Sequence, residues 1–289
     1  MRAPLAAACA TALVLVVLPV ALGAAPQATG VPAPPRSREA NAAAARSAEA
    51  LAEARRLYNL GRYEAAIATA ASIGEQSAIR PQALLVLGRA RLERFRQTSD
   101  ETDLAQGRDD LRRIDASRLD ERDRLELLVG LGQALYLENE FRAAAEVFTS
   151  ALDNAASLGA HARDQLLDWW ATSLDRHAQA RPVADRPAIY GRVVTQMEQE
   201  LRRDAAAASA SYWLAAGLRL RGDIDRAWDA ALAGWVRALM APDRGAALRP
   251  DLDSLVRDGI AADRARRVAA PGQDADQVLA AMLEEWEAF

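Results

Sequence analysis

One predicted helix carries the side chains of this chain whose spacing is suited to metal chemistry. They recur every three or four residues and therefore lie on one stripe of the helix: His161, Asp164, Asp168, Thr172 and Asp175. Imidazole and carboxylate groups are ligands for several divalent metals. The only other histidine is His177, in the same segment, so no second helix supplies a ligand. We interpret the stripe as a solvated polar face; an enzyme that uses His161 and Asp168 is an alternative.

Tryptophan side chains are a second candidate feature, because an aromatic ring offers a large contact area to a peptide or glycan at low entropic cost. All six lie in the second half of the chain: Trp169, Trp170, Trp213, Trp228, Trp235 and Trp286. The helix pattern described below predicts that Trp170, Trp213 and Trp228 are core residues. Trp169 and Tyr212 are the candidates for exposure.

Arginine is the third candidate feature, since all 36 basic residues are arginines and guanidinium groups bind carboxylate and phosphate well. Arg55, Arg89 and Arg219 could form a row of anion-binding sites, or they could pair with neighbouring acidic residues. Acidic residues are interspersed throughout and the formal net charge is −4. We therefore expect no nucleic-acid partner.

Motifs of the common catalytic classes are missing from the sequence. It contains no glycine-rich phosphate loop after a strand, no nucleophile elbow, and no HExxH or CxxC motif. We therefore expect no enzymatic activity, no cofactor and no bound metal. The only cysteine, Cys9, lies in the N-terminal segment, so disulfides are not expected in the exported chain.

The first 25 residues have the pattern of a secretory signal peptide. Arg2 precedes an uncharged run with an aliphatic centre at 13–18, and small residues near Gly23 provide a cleavage site. This predicts export to the periplasm or the extracellular space. The alternative is an uncleaved inner-membrane anchor that faces the periplasm, since the run is long enough to span a bilayer. The proline-containing segment 26–39 is predicted to be a disordered tether.

The rest of the chain is predicted to be helical. Alanine, leucine, arginine and glutamate favour helix, and only 5% of the residues are aromatic. Three segments share one pattern, in which a small residue lies within a first helix and a short turn leads to a second helix with an alanine on its buried face. The segments are Ala54-Gly61-Tyr63-Ala66, Gly132-Asn139-Phe141-Ala144 and Ala215-Gly222-Ile224-Ala227.

This pattern resembles the tetratricopeptide repeat, a helix-turn-helix unit of about 34 residues. Weaker pairs around 84–114 and 166–203 fill the intervals between the three strong copies. The resemblance implies an all-α fold, an α-α superhelix or solenoid of about five helix pairs over 40–240. The remaining segment, 241–289, is predicted to form a C-terminal helical cap. It contains one helix over 251–268 and ends with an amphipathic helix from 274 to 287.

The resemblance also implies a function, because proteins of this family hold a protein or peptide segment on the concave surface lined by the first helix of each pair. We expect a non-catalytic interaction scaffold in the bacterial cell envelope. An alternative is a structural envelope-assembly component that acts through its convex face or its C-terminal helix. The candidate partner-binding residues, from the matched positions and the aromatic pair, are Arg55, Tyr58, Asn59, Arg89, Gln133, Tyr136, Asp168, Trp169, Tyr212 and Arg219.

Overall fold

The computed structural model describes residues 35–154, 159–270 and 273–289, and every regular element within them is helical, which confirms the all-α prediction. None of these helices is long and apolar enough to cross a bilayer. The predicted signal segment, 1–25, lies outside the described residues, as does most of the predicted tether. The first helix begins at Pro35, so the end of the predicted tether is helical.

Three consecutive helix pairs form the described part of the first of two compact units. They are α1 (Pro35–Asn59) with α2 (Tyr63–Ala71), α3 (Arg80–Thr98) with α4 (Glu101–Arg112), and α5 (Glu121–Leu137) with α6 (Phe141–Asp153). The helices of each pair pack on each other, and α3 and α5 also pack on both helices of the preceding pair. The first helices α1, α3 and α5 are therefore neighbours in that order.

The turns of the three strong copies share one backbone geometry. Gly61, Asn139 and Gly222 have φ angles of 70°, 64° and 96°, in the left-handed region that ends many helices. In each turn the N–H of the next residue donates to the carbonyl five residues earlier, at 2.9 Å. Asparagine at the second turn is consistent with its tolerance of this conformation.

Two glycines of α5 allow other helices to approach closely, as their position within a predicted helix indicates. A Cβ atom at Gly132 would lie 2.5 Å from the Phe148 ring, and one at Gly130 would lie 3.1 Å from Leu111 and 3.2 Å from the Arg89 side chain. Glycine weakens a helix by about 1 kcal/mol relative to alanine. Here the packing of α4, α3 and α6 against α5 offsets that weakness.

The second unit contains two further pairs and a C-terminal group of helices. The pairs are α7 (Ala160–Gln179) with α8 (Arg186–Arg203) and α9 (Ala208–Arg221) with α10 (Ile224–Arg237); α11 (Leu248–Leu255), α12 (Ala261–Val268) and α13 (Ala275–Ala288) follow. The sequence predicts one helix over 251–268, but a π-helical turn, Val256–Ile260, separates α11 from α12. The Arg219 guanidinium packs against Gly259 in this turn and leaves no room for a side chain there.

The last helix packs its apolar face against the core of the second unit. Met282 and Trp286 of α13 are buried in the core formed with α10 to α12. The Trp286 ring lies 5.9 Å from the Trp228 ring and 5.3 Å from the Trp235 ring, with edge-on geometry in both pairs.

Candidate functional site

Charged and polar side chains are buried in the first unit where α1, α3 and α5 meet. We call this group the polar cluster; its members are Tyr58, Arg89, Glu93, Glu126 and Gln133, none more than 6% exposed. Tyr58 comes from α1, the next two residues from α3 and the last two from α5. Charged side chains are almost never buried to this extent unless they are paired.

Arg89 is the charged centre of the polar cluster. Its Nη1 donates to Glu126 Oε2 at 2.9 Å, and its guanidinium carbon lies 4.8 Å from the centre of the Tyr58 ring. Burial alone would lower the pKa of Arg89, but Tyr58, Glu126 and Glu93 outweigh that effect and raise the pKa. Arg89 is therefore held as a cation.

Both carboxylates of the polar cluster accept hydrogen bonds from other side chains of the first unit. Arg96 donates to Glu93 at 2.7 Å, and Gln133 Nε2 approaches the same carboxylate at 3.5 Å. Arg122 donates to Glu126 at 3.4 Å. The charges of the polar cluster are thus compensated from within the first unit.

The Tyr58 hydroxyl and Gln133 Oε1 are among the buried atoms of the polar cluster that have no hydrogen-bond partner in the described residues. Burial raises the pKa of Tyr58 well above its usual value, so the phenol stays protonated and can donate. The amide oxygen of Gln133 can only accept. Buried polar atoms in folded proteins are normally matched by protein groups, ordered water or a ligand.

An ion pair between α1 and α5 borders the polar cluster. Arg55 Nη2 donates to Asp123 Oδ1 at 2.7 Å, with 27% of the arginine side chain and 6% of the aspartate side chain exposed. Burial raises the pKa of Asp123, and Arg55 opposes that shift. Asn59 and Tyr136 are partly exposed on the same two helices. These side chains form the accessible part of the surface.

The candidate residues therefore divide into accessible and buried groups. Tyr58, Arg89 and Gln133 are buried and can act only by supporting that surface. Arg55, Arg89 and Arg219 each pair with a carboxylate of the chain, as the alternative interpretation of the arginines predicts. For Arg219 the partner is Asp263, at 2.7 Å, in the second unit. The full set of partner-binding residues stays a prediction.

The polar stripe of α7 joins that helix to α8 and α9. Its carboxylates accept hydrogen bonds as follows: Asp164 from the Ser209 N–H and hydroxyl, both at 3.0 Å, Asp168 from Trp213 Nε1 at 2.8 Å, and Asp175 from the Tyr190 hydroxyl at 2.8 Å. The expectation of a solvated face is therefore wrong, because these carboxylates are partly buried between helices. Their spacing serves packing within the second unit.

Metal binding by the same stripe has no geometric support. Within the described ranges, no group of three or more His, Cys, Asp or Glu residues is arranged to hold a metal ion, and His161 is exposed. Burial raises the pKa of Asp164 to about 6, although the hydrogen bonds from Ser209 oppose the shift. This carboxyl is a titrating structural group.

The aromatic residues of the second unit are largely internal. Trp170, Trp213 and Trp228 are buried, as predicted, and Trp169 is also buried at 8% exposure. Tyr212 is half-buried, with its ring 5.5 Å from the Trp213 ring and nearly perpendicular to it. Tyr212 is therefore the accessible member of the predicted aromatic pair.

The residues predicted from sequence did not include the acidic residues of α5, which are Glu126 in the polar cluster and Asp123 beside it. Asp123, Glu126, Gly130 and Gln133 recur every three or four residues of α5, which places them on one helix face. That spacing is the same signal that revealed the stripe of α7. It could have predicted a polar seam on α5, but not the arginines that face it.

Comparison of the chain with protein-family models, with curated proteins and with solved structures finds no match.

Proposed function

We propose that this protein is a non-catalytic interaction scaffold of the bacterial cell envelope, built as a tetratricopeptide-like array. It captures a segment of a protein partner on the surface of α1, α3 and α5. The signal-peptide pattern of the first 25 residues supports export. The neighbouring positions of the three first helices support a shared binding surface.

The observation that carries this proposal is the burial of the polar cluster. Removing Arg89, Glu93 and Glu126 from water costs several kcal/mol per ion, and pairing recovers this only in part. Apolar side chains of similar volume would hold the three helices together at least as well. The polar cluster instead fixes the arrangement of α1, α3 and α5, and a fixed arrangement lowers the entropic cost of binding a partner.

The accessible residues of that surface suit an extended polar segment. Arg55 is paired with Asp123 and has 27% of its side chain exposed, while Asn59 offers an amide and Tyr136 an aromatic ring. An amide can pair with a peptide backbone, and an aromatic ring gives contact area at low entropic cost.

Site-specific photo-crosslinking in the source organism tests the proposal. A benzophenone amino acid is placed at Asn59 or Tyr136, with matched controls at Ala65 of α2 and Ala143 of α6, which are exposed on the second helices. We expect one protein to be cross-linked from the first two positions and not from the controls. Equal or stronger cross-linking from the control positions would refute this surface.

A second candidate is favoured by one observation in the second unit. Val236, Leu239 and Met240 are exposed by 50%, 55% and 65% at the end of α10. An envelope-assembly component that docks through its C-terminal region would use such a surface. A cross-linker at Leu239 that captures the partner, with none captured at Asn59, would select this candidate.

A further inference from the structure

The end of α10 is apolar on two opposite faces. One face packs inward through Ala231, Gly234 and Ala238. The other carries Val236, Leu239 and Met240, which we call the α10 patch; it continues from α10 into the 3₁₀ turn Ala238–Met240. A soluble helix normally presents polar residues on its outer face. Grouped exposed apolar side chains mark interaction surfaces.

Beside the α10 patch is a cation that the second unit leaves uncompensated. Arg237 is only partly exposed, and its Nε and Nη2 are buried without a hydrogen-bond partner among the described residues. Burial lowers the pKa of Arg237, and no carboxylate opposes that shift. Burying part of a guanidinium without a hydrogen-bond partner is unfavourable.

Other arginines of the second unit show how this chain compensates the same group. Arg219 is paired with Asp263 at 2.7 Å, and Arg264 stacks on Trp228 at 4.7 Å and approaches Asp225 at 3.6 Å. Arg237 has neither a carboxylate nor an aromatic ring as partner in the described structure. The difference indicates that its partner is supplied from outside the chain.

The unmatched nitrogens of Arg237 can only donate hydrogen bonds. The complementary group is therefore an acceptor, and a carboxylate suits a guanidinium best.

We propose that Arg237 and the α10 patch form a docking surface for an amphipathic acidic segment of a second protein. The partner places apolar side chains on the α10 patch and a carboxylate on Arg237. An anionic membrane would offer similar chemistry, but the formal net charge of −4 opposes its approach. The proposal does not depend on capture by α1, α3 and α5; it rests on the second candidate function and names the chemistry of the partner at that surface.

Labelled peptides test the chemistry directly by fluorescence anisotropy with the full chain. The probes are short amphipathic helices with leucines at helical spacing and either glutamate or glutamine at one flanking position. We expect the glutamate peptide to bind about tenfold more tightly, and Arg237→Gln to remove that preference. Leu239→Ser should weaken both peptides. Controls are Arg202→Gln and Val183→Ser, which change exposed residues of the same unit.

Equal binding of the two peptides, no binding of either, or equal effects of Arg237→Gln and Arg202→Gln would overturn the proposal. Co-sedimentation with phosphatidylglycerol vesicles that depends on Arg237 would also overturn it in favour of a membrane.

Thermal stability gives an independent measurement. Because Arg237 is uncompensated, Arg237→Met should leave the melting temperature unchanged or raise it. A lower melting temperature would show that Arg237 has a partner within the chain and would refute the inference.

Discussion

Removing Arg89 alone should destabilise the first unit far more than removing an exposed arginine. Arg89→Met leaves the carboxylates of Glu93 and Glu126 in the interior, where they are 2% and 6% exposed. Only Arg96 and Arg122, nearer the surface, would still pair with them.

The size of the expected destabilisation follows from the burial of these charges. Breaking a buried pair by removing one partner costs about 3–5 kcal/mol, because the other charge stays in the interior. Replacing both partners, as in Arg89→Met/Glu126→Leu, should recover most of this loss and bring stability to within about 1 kcal/mol of wild type. The matched control is Arg56→Met, whose ion pair with Glu53 is exposed by 57% and 44% and should therefore contribute little to stability.

The assay must report on the first unit specifically. All six tryptophans lie in the second unit, so tryptophan fluorescence does not follow the first. Urea unfolding by far-UV circular dichroism, with hydrogen exchange of amides in α3 and α5 measured by mass spectrometry, provides the free energies. The reasoning is refuted if Arg89→Met and Arg56→Met have equal effects. A double variant that is as unstable as the sum of its single variants would also refute it.

Three further predictions concern packing and titration. Gly132→Ala should lower the melting temperature, because its Cβ would lie 2.5 Å from the Phe148 ring. The control, Gly191→Ala, places its Cβ in open space and should raise the melting temperature. Equal shifts in the two variants would contradict the packing of Phe148 against Gly132. Ala144→Glu places a charge at a fully buried position and should destabilise by more than about 3 kcal/mol, and an unchanged melting curve would contradict the helix pairing. Burial raises the pKa of Asp164 from 3.8 to about 6, so the folded state binds a proton that the unfolded state has released in this range. Its contribution to the free energy of unfolding should therefore fall as pH rises from about 4 to about 6, and Asp164→Asn should remove that fall in urea titrations at each pH.

Much of the helical organisation follows from local signals. Gly61, Asn139 and Gly222 were identified as turn residues from sequence, and all three adopt the left-handed conformation. Asp100 caps α4, since its side chain accepts a hydrogen bond from the Thr102 N–H at 2.9 Å, and aspartate is a preferred residue at this position. These features depend on residues close in sequence, so their pattern is sufficient to predict them.

The break between α11 and α12 shows the limit of this reasoning. The periodicity over 251–268 fits one continuous helix, but the structure has a π-helical turn at Val256–Ile260, where Gly259 contacts the Arg219 side chain of α9. A contact between residues distant in sequence leaves no periodic signal in either helix.

Within the candidate site, the sequence identified the basic residues but not their acidic partners. Arg55 and Arg89 were predicted either to bind an anion or to pair with acidic residues of the chain. The acidic partners, Asp123 and Glu126, both lie on α5. This helix is two helix pairs after Arg55 of α1, the partner of Asp123, and one helix pair after Arg89 of α3, the partner of Glu126. No spacing rule connects these residues, because their meeting depends on how the helices stack.

The sequence by itself determined that this chain forms helix pairs, where its turns lie and which alanines and glycines face neighbouring helices. Hydrogen bonding within a helix and the period of its apolar residues are local, so each segment carries that information alone. Tertiary structure decided which charges are buried and which are uncompensated. Arg89 and Arg237 are the same residue type in similar helical contexts, yet only Arg89 meets a carboxylate. That difference arises because burial and pairing depend on the approach of helices that are distant in sequence.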